Sequence, residues 1–168
     1  RGIGAATARV LAHDGYAVAV NYLQNRAAAD SVVEELKSFG ARAISVQADV
    51  ADEASVLALF SQVDEELGVI SALVNNAGIL EQQMRVEEMT AKRINRVLQT
   101  NVTGSFLCCR AAIKRMSTAR GGVGGNIVNL SSMAAQLGSA NEYVDYAASK
   151  AAVDAMTRGL ALEVADQG

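Results

Sequence analysis

Tyr146-Ala-Ala-Ser149-Lys150 carries a phenol and an ammonium four residues apart, a spacing that puts both on one face of a helix. A Lys ammonium held beside a Tyr phenol favours the phenolate, so a group of ordinary pKa about 10 can exchange protons closer to neutral pH. Upstream, Ser132 closes the run Asn126-Ile-Val-Asn-Leu-Ser-Ser132. A hydroxyl at the end of a buried strand can hydrogen-bond a substrate oxygen while Tyr146 donates to, or accepts from, the same atom. Tyr143 offers no such pair, because Ala147 stands four residues after it. Tyr-x-x-x-Lys alone arises by chance in many helices, so its meaning depends on the elements around it.

Those elements alternate strand and helix with short turns. Gly4 to Leu11 opens as a helix, and Ala17-Val18-Ala19-Val20-Asn21 reads as a buried strand. Arg26 to Phe39 is helical, with Val32, Val33 and Leu36 on one side and Gly40 as its stop. Ala43 to Val46 is the next strand, closed by Asp49-Val50; Asp52 to Leu67 is amphipathic, with Val56, Leu59, Phe60 and Val63 at helical spacing. A third strand covers Ala72 to Asn75, a long helix Ala91 to Met116, a fourth strand Ile127 to Leu130 and a last helix Asp145 to Ala165. The run Gly121-Gly122-Val123-Gly124-Gly125 reads as a flexible surface loop and not as a phosphate cradle. Short apolar strands alternating with helices predict an α/β fold, a Rossmann-like doubly wound parallel sheet covered on both faces. Ligands bind at the carboxyl ends of such strands. Asn21-Tyr22, Asn75-Asn76, Ser131-Ser132 and Asp49 all fall there, more polar residues than turn chemistry requires.

Composition narrows the function. The 168 residues suffice for one domain with a real core. A net charge of −3 gives no electrostatic case for nucleic acid or an anionic membrane as partner, and no apolar run reaches the length of a membrane span. Cys108 and Cys109 are adjacent on a buried helix, which argues against a disulfide framework or a zinc site, and no metal is expected. The single histidine, His13, reads as a surface residue at a helix end. A cytoplasmic protein is the expectation. The chain opens on Arg1 inside a glycine-rich turn, stops at Gly168 just after a long helix and has no proline; it reads as a piece of a longer protein.

Taken together, Arg1-Gly2-Ile3-Gly4, Asp49-Val50, Asn75-Asn76-Ala77-Gly78, Asn101-Val102-Thr103-Gly104, Ser132 and Tyr146-x-x-x-Lys150 resemble the short-chain dehydrogenase/reductase family, in its order and at near-family spacing over essentially the whole chain. Within that family the chain looks most like bacterial sugar dehydrogenases and 3-oxoacyl carrier-protein reductases. The resemblance implies an oxidoreductase interconverting a carbonyl and a hydroxyl by hydride transfer, with Tyr146 as general acid/base. Gly2 and Gly4 would be the second and third glycines of a turn that lets cofactor phosphate approach a helix N-terminus, with the first glycine lying before Arg1. Asp49 would accept from the adenine amino group beside Val50, and Asn75 to Gly78 would line the nucleotide. Lys150 would hold the nicotinamide ribose, Ser132 would orient the substrate carbonyl, and Asn101 would position a water for proton relay. Without the resemblance each has an ordinary reading: a helix-opening turn at 1–4, strand-end satisfaction by Asn75 and Asn76, a polar kink at Asn101, solvated turn residues at 131–132.

NAD-binding turns usually place a carboxylate about twenty positions on, for the ribose 2′-OH. By family register that position is Tyr22, with Asn21 before it and Leu23 after, and Arg1 and Arg26 could pair with a 2′-phosphate. NADP is therefore preferred, with NAD possible. The resemblance further implies a small-molecule carbonyl or alcohol substrate and a homo-oligomer, expected to be a tetramer packed through the helices at 91–116 and 145–165. It also implies that a central first strand and a C-terminal substrate loop lie outside the 168 residues. The chain by itself is then a partial dinucleotide-binding catalytic domain, neither a stable monomer nor active alone. A catalytically silent fragment or a dinucleotide-binding interaction protein is the alternative, against which the intact set Asn101, Ser132, Tyr146 and Lys150 argues.

Overall fold

The computed structural model describes residues 2–168; Arg1, and with it the expected phosphate contact of its side chain, lies outside the described residues. The chain forms two compact units that divide between Ile70 and Ser71.

In the first unit, α1 (Gly2–His13), β1 (Val18–Tyr22), α2 (Arg26–Ser38), β2 (Ala43–Gln47) and α3 (Glu53–Glu66) follow in order. β1 and β2 are parallel, Val18 opposite Ala43 and Tyr22 opposite Gln47, and α2 is the crossover that a parallel pair needs. Ala5, Ala8 and Ala12 recur at helical spacing on α1 and pack with Val18, Val32, Val33, Leu36 and Ala43 into one core. Small side chains on α1 let its backbone come close to that core. Caps set the helix starts: Asn25 accepts from the Ala28 N–H at 3.0 Å and Asp52 from the Ser55 N–H at 2.7 Å, each cap contributing about 1 kcal/mol. Gly40, at φ +90°, turns the chain out of α2 in a left-handed conformation that a side chain would strain. His13 is exposed and stacks on Phe39 at 4.2 Å.

The second unit holds β3 (Ala72–Asn75), α4 (Ala91–Leu98), α5 (Gly104–Met116), β4 (Asn126–Asn129), α6 (Ala134–Leu137) and α7 (Val144–Glu163). β3 and β4 are parallel, with Ala72 opposite Asn126 and Asn75 opposite Asn129. Cys109, Val153 and Met156 pack against Leu73, Ile127 and Leu160, joining α5 and α7 to the pair of strands. The α/β architecture with parallel strands is the one expected; β1–β2 and β3–β4 are separate two-stranded sheets.

Two expectations need correction. The single helix over 91–116 is interrupted by a π-helical segment, Gln99–Thr103, in which the Gly104 N–H reaches back to the Gln99 carbonyl. A π turn displaces carbonyls from their usual partners, and here the Ser105 hydroxyl donates to the Asn101 carbonyl at 2.8 Å. The glycine run at 121–125 lies at the surface as expected, with Val123 exposed and Gly121 open, but other backbone closely approaches Gly122, Gly124 and Gly125, so it is not a loose loop. A Cβ on Gly122 would strike the Met116 backbone, one on Gly124 the Gly168 backbone and one on Gly125 the Ser71 carbonyl. The Gly122, Gly124 and Gly125 N–H groups donate to Ser117, Met116 and Gly168 carbonyls at 2.7–2.9 Å. No helix among the described residues is long and apolar enough to cross a membrane.

Candidate active site

α7 buries Ala147, Ser149, Lys150, Val153 and Met156 and leaves Tyr146 half-buried near its start. Lys150 is 6% exposed. Its Nζ donates to the Leu130 carbonyl, just past β4, at 2.6 Å and lies 5.7 Å from the centre of the Tyr146 ring. The helix therefore presents phenol and ammonium together, as their spacing requires. Burial pushes the Lys150 ammonium below the usual lysine range, opposed by the charge of Asp154; removing an ammonium from water disfavours its charged form.

Asn101 sits in the π segment and is 1% exposed. Its Oδ1 accepts from the Ile79 N–H at 2.8 Å, and its Nδ2 donates to the Ile79 carbonyl and to Ser149 Oγ, both at 3.0 Å. Ser149 Oγ in turn donates to the Tyr146 carbonyl at 2.7 Å. The amide thus ties the strand end after β3 to the helical turn that bears Tyr146. It is no incidental kink, and the link through Ser149 was not foreseen, although Ser149 stands in plain sight between Tyr146 and Lys150.

Asn75, at the carboxyl end of β3, faces its register partner on β4. Its Nδ2 donates to Asn129 Oδ1 at 2.8 Å and to Cys109 Sγ at 3.2 Å, while Asn129 Nδ2 donates to Thr157 Oγ1 at 3.0 Å. This side chain supports the strand ends from behind. Burial pushes the Cys108 and Cys109 thiols up to about 11; neither suits nucleophilic or metal chemistry. Asn76, Ala77 and Gly78 are exposed. A Cβ on Gly78 would lie 3.3 Å from Asn101 Oδ1 and 3.7 Å from Lys150 Nζ, so the missing side chain keeps the approach to the ammonium clear. An ammonium has three donors and Leu130 takes one, which suits it to hold ribose hydroxyls.

Ser132 is half-buried at the entry to α6, its Oγ accepting from the Ala134 N–H at 3.2 Å. The neighbouring Ser131 Oγ donates to the Lys150 carbonyl at 3.4 Å. Asp145, just before Tyr146, lies against Arg93. Burial would raise its carboxyl, but the Arg93 hydrogen bonds and the Tyr146 N–H more than offset this and hold it below the usual aspartate range. Nothing in the sequence pointed to Arg93, which is 52 positions away.

The first unit carries the remaining candidates. Gly2, at φ +66°, and Ile3 are exposed at the start of α1, with Gly4 half-buried. Asn21 Nδ2 donates to the Val46 and Ala48 carbonyls at 3.3 and 3.0 Å, binding β1 to β2. Tyr22 is 9% exposed, with the Arg26 guanidinium 5.6 Å above its ring. It is Arg26, not the Tyr22 ring, that is exposed at this strand end. Asp49 Oδ1 accepts from the Ala51 N–H at 2.9 Å and the Asp49 N–H donates to Ser55 Oγ at 2.9 Å, with Val50 half-buried beside it. Among the described residues no three histidine, cysteine or carboxylate side chains are grouped to hold a metal ion.

The model of a family described as short chain dehydrogenase matches residues 1–168. The chain is 59% identical over its whole length to an uncharacterized oxidoreductase of Escherichia coli (strain K12), YgfF, covering 68% of that protein. It is 38% identical to the 3-oxoacyl-acyl-carrier-protein reductase FabG of Staphylococcus aureus (strain Mu50 / ATCC 700699), covering 66% of it. A crystal structure of a short chain dehydrogenase from Burkholderia cenocepacia J2315 in complex with NADP superposes with a TM-score of 0.92 at 36% identity, over 100% of this chain and 66% of that one. The chain thus spans about two thirds of the length of these relatives.

Proposed function

From the premise that this chain belongs to the short chain dehydrogenase family, we propose that it is the catalytic part of an oxidoreductase that interconverts a carbonyl and a hydroxyl group with a nicotinamide cofactor. The observation that carries the reading is the pair on α7: Lys150 buried beside Tyr146 and anchored to the Leu130 carbonyl. Tyr146 moves the proton at the substrate oxygen. Ser132 orients that oxygen, its position at the entry to α6 leaving the hydroxyl proton available while its lone pair holds the Ala134 N–H. Lys150 has donors beyond the one given to Leu130 and binds ribose hydroxyls across the open approach at Gly78. Asn101 fixes the backbone around both, and a role in a water relay belongs to the same proposal. The cofactor, when bound, supplies or takes up the hydride.

Of the first unit's residues, Gly2, Ile3 and Gly4 are proposed for cofactor phosphate, Asp49 and Val50 for adenine, and Asn21 and Tyr22 for the edge next to the ribose. In the second unit Asn75, Asn76, Ala77 and Gly78 are proposed to line the nucleotide. NADP is the proposed cofactor, since no carboxylate occupies 21–23 and Arg26 is exposed; titration showing tighter NAD than NADP binding would reverse this choice. A small carbonyl or alcohol is the proposed substrate, with a cytoplasmic location. A homotetramer accords with exposed Phe106 on α5 and Leu162 on α7, and a monomer by light scattering at micromolar concentration would count against it.

The test of the chemistry is a contrast in the full chain. Tyr146→Phe keeps the ring packing and removes the acid–base group, so turnover should fall by about 10²–10⁴-fold with cofactor affinity near its original value. Lys150→Ala should lower both. Equal loss of cofactor affinity in the two variants, or a Tyr146→Phe enzyme that keeps most of its rate, would defeat the assignment.

A further inference from the structure

A buried charge pair stands one residue from Tyr146 and takes part in none of the steps above. Arg93, in the first turn of α4, donates from Nε to Asp145 Oδ2 at 2.8 Å and from Nη2 to Asp145 Oδ1 at 3.3 Å. The two side chains are 10% and 2% exposed. Asp145 Oδ1 also accepts the Tyr146 backbone N–H at 2.9 Å. The third guanidinium nitrogen donates to the Gln82 carbonyl at 2.6 Å and lies 3.7 Å from the Met84 sulfur. One side chain thus holds α4, the first turn of α7 and the segment that follows the exposed edge at Asn76–Gly78.

That segment is bonded again to the chain entering α7. The Met84 N–H donates to the Glu142 carbonyl at 3.0 Å, Gln83 Nε2 to Glu142 Oε1 at 3.1 Å and Arg85 Nη1 to Asn141 Oδ1 at 3.0 Å. Ser139 and Asn141 have φ of 47° and 63°, a left-handed backbone that residues other than glycine seldom adopt. Stability alone is a weak reason for a pair in this place. Desolvating two charges largely cancels their attraction, and apolar residues of similar size commonly serve as well. A two-point guanidinium–carboxylate contact does supply fixed orientation, which apolar packing does not. Orientation is what an acid–base group in this position needs.

We infer that Arg93 and Asp145 are positioning residues for Tyr146: the pair locks the first turn of α7 to α4 and to Gln82 and Met84, whose segment is bonded in turn to Asn141 and Glu142, so that the phenol meets the substrate oxygen at one angle. The inference rests on the reading of Tyr146 as the acid–base group. The Lys150 bond to the Leu130 carbonyl involves neither member of the pair, so kcat and cofactor affinity should separate.

The experiment uses the full chain with four substitutions: Arg93→Met together with Asp145→Leu, Asp145→Asn alone, Arg93→Lys alone, and Tyr146→Phe as the reference. The double substitution leaves no charge unpaired but frees the Tyr146 N–H and the Gln82 carbonyl, so Tm should fall by no more than about 8 °C. Its kcat should fall by about 10²-fold, the cost of a misplaced reacting group, with cofactor Kd unchanged. Asp145→Asn keeps an acceptor for the Tyr146 N–H but loses the charge, and Arg93→Lys keeps the charge but loses the two-point contact. Both should lower kcat by about 10-fold, again at unchanged Kd. A kcat within threefold of the original in Asp145→Asn and Arg93→Lys, whether or not the double variant folds, overturns the inference. So does a loss of cofactor affinity in step with kcat, which would mark general damage. If Tyr146→Phe keeps its rate, the acid–base reading itself fails, separately from the role of the pair.

Discussion

Replacing Asn101 by Ala isolates the contribution of the buried amide in the π segment. The substitution removes three hydrogen bonds at 2.8–3.0 Å, two to the Ile79 backbone and one to Ser149 Oγ. At about 1 kcal/mol net per bond, with a further penalty where a partner is left without water, the loss sums to about 3–4 kcal/mol. That is a large share of the roughly 5–15 kcal/mol that holds a typical domain folded. In urea unfolding of the full chain without cofactor, a slope of about 2 kcal/mol/M turns this into a midpoint lower by about 1.5–2 M at unchanged slope. Asn101→Asp is the control. It keeps an acceptor for the Ile79 N–H but sets a second oxygen against the Ile79 carbonyl, so it should lose stability as well, and Ser149 loses its donor in both variants. An amide that served only to hold a water would lower turnover and leave the midpoint in place. A midpoint shift below about 0.5 M, equivalent to about 1 kcal/mol, would refute the structural argument.

Two other expectations come from the titrating groups. The Asp145 carboxyl is held below its ordinary value of 3.8, so its stabilising contribution is present above that value and is lost as pH falls through the lower folded value. Tm measured from pH 7 down to pH 3 should therefore fall more steeply for the unsubstituted protein than for Asp145→Asn, the two curves converging in acid; a constant gap across the range would refute the linkage. Cys108 and Cys109, with thiols pushed up to about 11 by burial, should resist iodoacetamide at pH 8 in the native state and both be labelled once urea unfolds the chain. Rapid native labelling of either, read by peptide mass, would show that this region opens far more readily than its packing implies.

Much of the fold and part of the candidate site's geometry were legible in the residues, for a local reason. The i, i+4 spacing of Tyr146 and Lys150 is a property of any helix, so forming α7 is enough to set phenol and ammonium on one face. Strand–helix alternation likewise predicts parallel pairs, and strand ends are where Asn75, Ser132 and Asp49 occur. The break at 99–103 was not legible, because the residues from Ala91 to Met116 are compatible with one continuous helix. Only the folded chain brings the Ile79 backbone to Asn101, 22 positions away, and Ser105 to its displaced carbonyl. A glycine-rich run carries no local sign of close packing, and only the folded chain sets the Met116, Gly168 and Ser71 backbones against Gly122, Gly124 and Gly125. Arg93 and Asp145 are ordinary surface-type residues in the sequence. A guanidinium in an unfolded chain satisfies its donors with water, and it chooses Asp145 only when tertiary packing excludes that water and leaves the carboxylate within reach.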